Sequence, residues 1–126
     1  MSFLKKFSNA PIPPEETVSP AKTVDGIASF EETDDTTTYF LSGRIDVNNY
    51  ESVQKELLQT QKKNVVLDAS QATYLSSAGL KMLLEVKKVY DEKNITHNII
   101  NMTENVYRIL KMTGYTSILN VTKIEE

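Results

Sequence analysis

Strand-like and helix-like segments alternate along most of this 126-residue chain, which predicts an α/β fold: a mixed β-sheet with helices packed against it. Three observations carry the prediction. Two β-rich stretches separated by a short polar turn read as a hairpin. The continuous apolar run Val65-Val66-Leu67 suits a strand covered on both faces. The segment beginning near Ser77 repeats apolar residues at helical spacing. Strands that alternate with helices pair in parallel through right-handed crossovers, and the hairpin adds an antiparallel member. The predicted order is β-β-α-β-α-β-α-β.

Each element has its own local reason. Gly26 to Thr33 contains Ile27, Ser29, Phe30 and Glu31, and Thr36 to Ile45 is rich in threonine, tyrosine and phenylalanine, so both read as strands joined at Thr33-Asp34-Asp35. From Asn48 to Lys62, Tyr50, Val53, Leu57 and Leu58 recur three or four residues apart among Glu51, Lys55 and Glu56, the pattern of an amphipathic helix with Asn48 or Asn49 as its cap. The strand at Val65-Val66-Leu67 leads through a short loop into a helix from Ser77 to about Lys93, where Leu80, Leu83, Leu84, Val86, Val89 and Tyr90 form a broad apolar face. Leu80 and Leu83 are expected in the core. Asn94 marks the end of that helix, Ile95 to Met102 reads as a strand and Glu104 to Thr113 as a helix. Gly114 is a left-handed stop, and Ser117 to Thr122 reads as the last strand.

Composition bounds the domain organisation and the chemistry. All four prolines, Pro11, Pro13, Pro14 and Pro20, fall in the opening segment. Residues 1–22 are therefore read as a flexible N-terminal segment, and residues 23–126 as one domain. Ser2 to Phe7 has the makings of a weak basic and apolar anchor for a membrane surface or a partner, but six residues bury little, and an ordinary flexible start is the preferred reading. With 40% apolar and 25% charged residues the chain builds one modest core. The net charge of −3 gives no footprint for direct nucleic-acid binding. No apolar run approaches the roughly 20 residues that span a bilayer, so no stable membrane insertion is expected. The absence of cysteine excludes disulfides and thiolate metal sites and fits a cytoplasmic setting, and a single histidine, His97, builds no metal cluster. His97 is expected to be solvated.

No enzyme is expected, and no cofactor. The chain has no Gly-rich run ending in Gly-Lys-Ser or Gly-Lys-Thr, and Ser77 is not in a Gly-x-Ser-x-Gly elbow. The informative stretch is Tyr74-Leu75-Ser76-Ser77-Ala78-Gly79-Leu80, at the carboxyl edge of the parallel sheet where loops converge. A helix start offers unpaired N–H groups and the positive end of the macrodipole, so a serine there carries phosphate at little electrostatic cost. Ser77 is thus a candidate phosphorylation switch, with Ser76 as the second choice. Against this stands the plain reading of Ser77 as a helix N-cap. Asp46 follows the second strand and reads as a cap of the turn into the first helix; Asp68 and Asn48 read as local hydrogen-bonding residues. Gly79 permits close packing or the approach of a partner.

Four landmarks, Leu41-Ser42-Gly43-Arg44-Ile45-Asp46, Val65-Val66-Leu67-Asp68, Ser76-Ser77-Ala78-Gly79-Leu80 and Ile109-Leu110-Lys111-Met112-Thr113-Gly114-Tyr115, resemble those of the STAS domain, and in particular the bacterial anti-sigma factor antagonists. The resemblance covers roughly residues 23 to 124. It implies the STAS fold and a partner switch acting on transcription. An unphosphorylated antagonist binds an anti-sigma factor that is also a serine kinase, the kinase phosphorylates a serine at the strand-to-helix turn, the complex separates, and a serine phosphatase resets it. The family's usual motif is Asp-Ser-Ser-Gly-Leu or Asp-Ser-Thr-Gly-Leu, which lays the acceptor on Ser77. Here Ser76 replaces the Asp and Ala78 the second hydroxyl residue. Asp46, Ser76, Ser77, Ala78 and Gly79 are the partner-binding residues so implied. The alternative is a STAS-domain scaffold or subunit of a lipid-transport, anion-transport or signalling complex without phosphoregulation, because the fold does not select a partner.

Overall fold

In the computed structural model, which describes residues 24–123, the opening hairpin is β1 (Ile27–Glu32) and β2 (Thr36–Ile45). It is followed by α1 (Tyr50–Leu57), β3 (Asn64–Leu75), α2 (Ser77–Glu92), β4 (Thr96–Met102), α3 (Glu104–Met112), a 3-10 turn (Tyr115–Ser117) and β5 (Val121–Lys123). The sheet order is β1-β2-β3-β4-β5. Only β1 and β2 are antiparallel; the other neighbouring pairs are parallel. The order and the mixed character agree with the sequence-based expectation. The flexible segment expected at residues 1–22 lies outside the described residues.

Alternation along β2 and β3 sorts the two faces. Tyr39, Leu41 and Ile45 of β2 and Val65, Leu67 and Ala69 of β3 are buried with Val53 and Leu57 of α1 and Leu80, Leu83, Val86 and Tyr90 of α2. Two phenols reach through this core to carbonyls at the end of α1. Tyr39 Oη donates to Glu56 O at 3.0 Å, and Tyr90 Oη donates to Leu57 O at 2.6 Å. Burial raises the pKa of both phenols, so they stay protonated donors. The alternate residues Thr38, Phe40, Val66 and Asp68 are half-buried.

Three boundaries differ from the sequence-based expectation. The first helix ends at Leu57, not near Lys62. The chain turns there to bring Thr60 onto the sheet, where its buried hydroxyl meets that of Thr37 at 2.8 Å. A buried hydroxyl needs such a partner. The central strand does not stop after the apolar run but continues to Leu75. Its polar second half is sustained by β2, through the pairs Ser42 with Gln71, Gly43 with Ala72, Arg44 with Tyr74 and Ile45 with Leu75. Finally, Ser117 to Thr122 is not one strand. Gly114 does adopt the left-handed conformation, at φ +83°, but a 3-10 turn follows it, and pairing begins only at Val121.

Candidate functional site

The carboxyl ends of β2 and β3 meet at Ile45 and Leu75, each followed directly by a turn into a helix. Ile45 is the pivot. Its carbonyl accepts from Ser76 N at 3.0 Å, which locks the start of α2 to the end of β2. Gly79 packs on the same carbonyl so tightly that an added Cβ would stand 2.7 Å from Ile45 O. No other residue type has room there, which explains the glycine without any appeal to flexibility.

Within this lock the two serines have different tasks. Ser76 is the N-cap of α2: its backbone is extended and its Oγ accepts from Gly79 N at 3.2 Å. Ser77 is the first helical residue and is exposed. The capping role weighed against the switch reading of Ser77 therefore belongs to Ser76, whose hydroxyl is occupied and only half-exposed. Among the described residues the N–H groups of Ser77 and Ala78 have no protein acceptor, as the first turn of a helix leaves them. Ala78 is half-buried, and Gly79 and Leu80 are buried.

Asp46 lies across Ile45 from this turn. Its Oδ1 accepts from Asn48 N at 3.0 Å, and its backbone carbonyl accepts from Asn49 N and Tyr50 N. Asp46 is thus a turn former, with 18% of its side chain exposed and its Oδ2 3.5 Å from Arg44 Nε. Asn49 occupies the N-cap position of α1 but makes no side-chain cap bond. Its buried amide instead staples the end of β2, with Nδ2 donating to Arg44 O at 2.9 Å and Oδ1 accepting from Asp46 N at 2.9 Å. Sequence reading offered Asn48 or Asn49 as a cap and missed this staple, because its partners are backbone groups at the end of the preceding strand and just after it.

Two bulges reshape the top of the sheet, one between Phe40 and Ser42 and one between Gly43 and Arg44, where β3 carries extra residues. Gly43 has φ +66° at the second. Past it, the Arg44 guanidinium lies 4.4 Å above the Tyr74 ring, a cation–π contact across the β2–β3 pair. Arg44 was not among the expected site residues; no local signal marks it, since the contact depends on strand register. Val47, next to Asp46, is 71% exposed, and Tyr74 is 36% exposed.

Asp68 and His97 lie away from this edge. Asp68 accepts from Ser70 N at 2.9 Å, the local bond expected of it, and also from Asn101 Nδ2 at 3.2 Å, a bond that reaches across to β4. His97 is not solvated as expected. Its side chain is 15% exposed, its Nε2 lies 3.1 Å from Asp91 Oδ1, and its ring is 5.5 Å from that of Tyr90. The end of α2 covers it. Among the described residues no cluster of three or more His, Cys, Asp or Glu side chains is arranged to hold a metal ion. No helix among them is long and apolar enough to cross a membrane.

The sequence pattern of the STAS domain matches residues 28–126. Among solved structures, the anti-sigma factor antagonist SpoIIAA in its unphosphorylated form superposes with a TM-score of 0.64 at 14% identity, over 78% of this chain and 88% of that one. An anti-sigma factor antagonist from Mycobacterium paratuberculosis gives 0.65 at 21% identity, over 78% and 86%. The murine anion transporter Slc26a9 gives 0.64 at 15% identity, over 75% of this chain but only 17% of the transporter. At these identities the structural likenesses establish a shared fold. The family match covers most of the chain and includes both turns that build the edge. The chain belongs to the STAS domain family.

Proposed function

We propose that this protein is an anti-sigma factor antagonist that binds an anti-sigma factor with serine-kinase activity and is released by phosphorylation at Ser77. The observation that carries the reading is the division of labour at the start of α2: Ser76 is committed to the cap, and Ser77 stands exposed beside it. A kinase reaches the Ser77 hydroxyl without undoing the helix start. The phosphate then adds about 1.5 to 2 negative charges at neutral pH. Next to the free N–H groups of the first turn this charge is tolerated by the fold. In a protein interface it must be desolvated, and about 1.4 kcal/mol of such cost lowers affinity tenfold. The chain itself catalyses nothing in this scheme and needs no cofactor; it is a cytoplasmic substrate for a kinase and a phosphatase.

The experiment compares binding of the wild-type chain, Ser77→Ala and Ser77→Asp to the anti-sigma factor kinase of the same cell by calorimetry, with and without ATP. The expected result is affinity retained in Ser77→Ala, lowered at least about tenfold in Ser77→Asp, and lost from the wild type once ATP is added. Equal binding by the two variants would sink the switch. The competing reading, a constitutive STAS subunit of a transport complex, is favoured only by the shared fold of the anion transporter. It requires that the tryptic peptide Asn64 to Lys81, isolated from cells, never carries phosphate.

A further inference from the structure

Arg44 and Tyr74 form a preassembled pair that the switch at Ser77 does not use. The pair is set by strand register, Arg44 opposite Tyr74, just beyond a bulge with Gly43 at φ +66°. The Arg44 side chain is 64% exposed although its guanidinium lies 4.4 Å over the ring. Among the described residues, only its Nε is engaged by a carboxylate, that of Asp46 at 3.5 Å, which is itself held by Asn48 N. Among the described residues the two terminal amino groups of Arg44 and the Tyr74 hydroxyl have no hydrogen-bond partner.

These groups define the chemistry that fits. One ring face of Tyr74 is already occupied by a cation, so an incoming lysine or arginine there meets like charge. The unoccupied groups include the end-on fork of a guanidinium, whose geometry matches the two oxygens of a carboxylate. Arg and Tyr are the side chains enriched at interface hot spots, and Val47 adds an exposed apolar neighbour next to Asp46.

We propose that Arg44 and Tyr74 are a recognition platform for an acidic side chain of the protein partner that docks at this edge, its carboxylate accepting from both Arg44 Nη groups and from Tyr74 Oη. The proposal rests on the edge around Ser77 being the partner surface.

A library of displayed twelve-residue peptides, selected on the full-length chain, tests the platform without a known partner. Enriched peptides should carry Asp or Glu and shift the amide resonances of Arg44, Val47, Tyr74 and Ser77. Arg44→Glu should weaken them more than about tenfold, and Arg44→Lys and Tyr74→Leu several-fold. A matching amide spectrum elsewhere in the domain controls for folding of each variant. No enrichment, peptides without acidic residues, shifts confined to another surface, or indifference to Arg44→Glu would each overturn the proposal. Ser77→Asp, measured in parallel, separates the two readings. A peptide sensitive to Arg44→Glu but not to Ser77→Asp keeps the platform and counts against the switch; the opposite pattern keeps the switch and removes the platform.

Discussion

At the scale of single residues, two adjacent serines of the same type differ because one backbone step separates a cap from a first turn. Ser76→Ala removes the acceptor of Gly79 N and is expected to cost about 1 kcal/mol. Ser77→Ala removes an exposed hydroxyl with no structural bond, and its effect should stay within about 0.5 kcal/mol. Chemical denaturation of the two variants measures the difference, and equal losses would show that the cap has been assigned to the wrong residue. Gly79→Ala is expected to be worse, at about 1–3 kcal/mol, because the new methyl meets the Ile45 carbonyl at 2.7 Å and Ile45 Cγ2 at 3.3 Å. A backbone oxygen cannot swing aside as a flexible side chain would. The motif around Ser77 was legible in the sequence as a helix start with a close-packing glycine, but which hydroxyl capped and which faced solvent was not. That assignment turns on where helical geometry begins, a matter of one residue.

At the scale of elements, α2 was readable because its apolar face is continuous through six buried residues. The second half of β3 was not. Ser70 and Gln71 interrupt the strand signal, and they remain extended because β2 runs beside them. Propensity yields to pairing there. The last turn of α2 ties the helix to β4 through Asp91, which receives Lys87 Nζ at 2.7 Å and faces His97 at 3.1 Å. The hydrogen bond from Lys87, and then that from His97, hold the Asp91 carboxyl below its ordinary value of 3.8. Folding thus favours the ionised form. The stabilisation is present above that ordinary value and is lost as pH falls through the lower folded one. Asp91→Asn should accordingly lower the urea midpoint at neutral pH, with the gap from wild type closing in strong acid. A gap independent of pH would mean that Asp91 acts by packing.

At the scale of the whole molecule, stability is graded across the sheet. β2 and β3 pair over nine register positions, whereas β4 and β5 pair over two, around a three-residue strand. Hydrogen exchange should therefore open Val121–Lys123 well before Tyr39 or Leu67. Uniform protection from β1 to β5 would contradict this gradient. Element order and the parallel core were legible because every crossover alternates a strand signal with a helix signal. The candidate edge was legible only in part. Ser77 announced itself by local sequence and Asp46 by the family resemblance, but Arg44 reaches that edge through β2, some thirty residues earlier in the chain.

The grip of Ile45 on Ser76 and Gly79 has a consequence for how such a device stores information. With the α2 start bolted to a strand end through a carbonyl that admits no side chain, the two states required by the proposed switch would share one shape and differ in a single local charge. Such a switch would be a one-bit memory written in electrostatics, erased by hydrolysis and read without mechanical work. Under that proposal the decoding lies wholly with the reader, and altering the rim recruits a new reader while the core stays as it is.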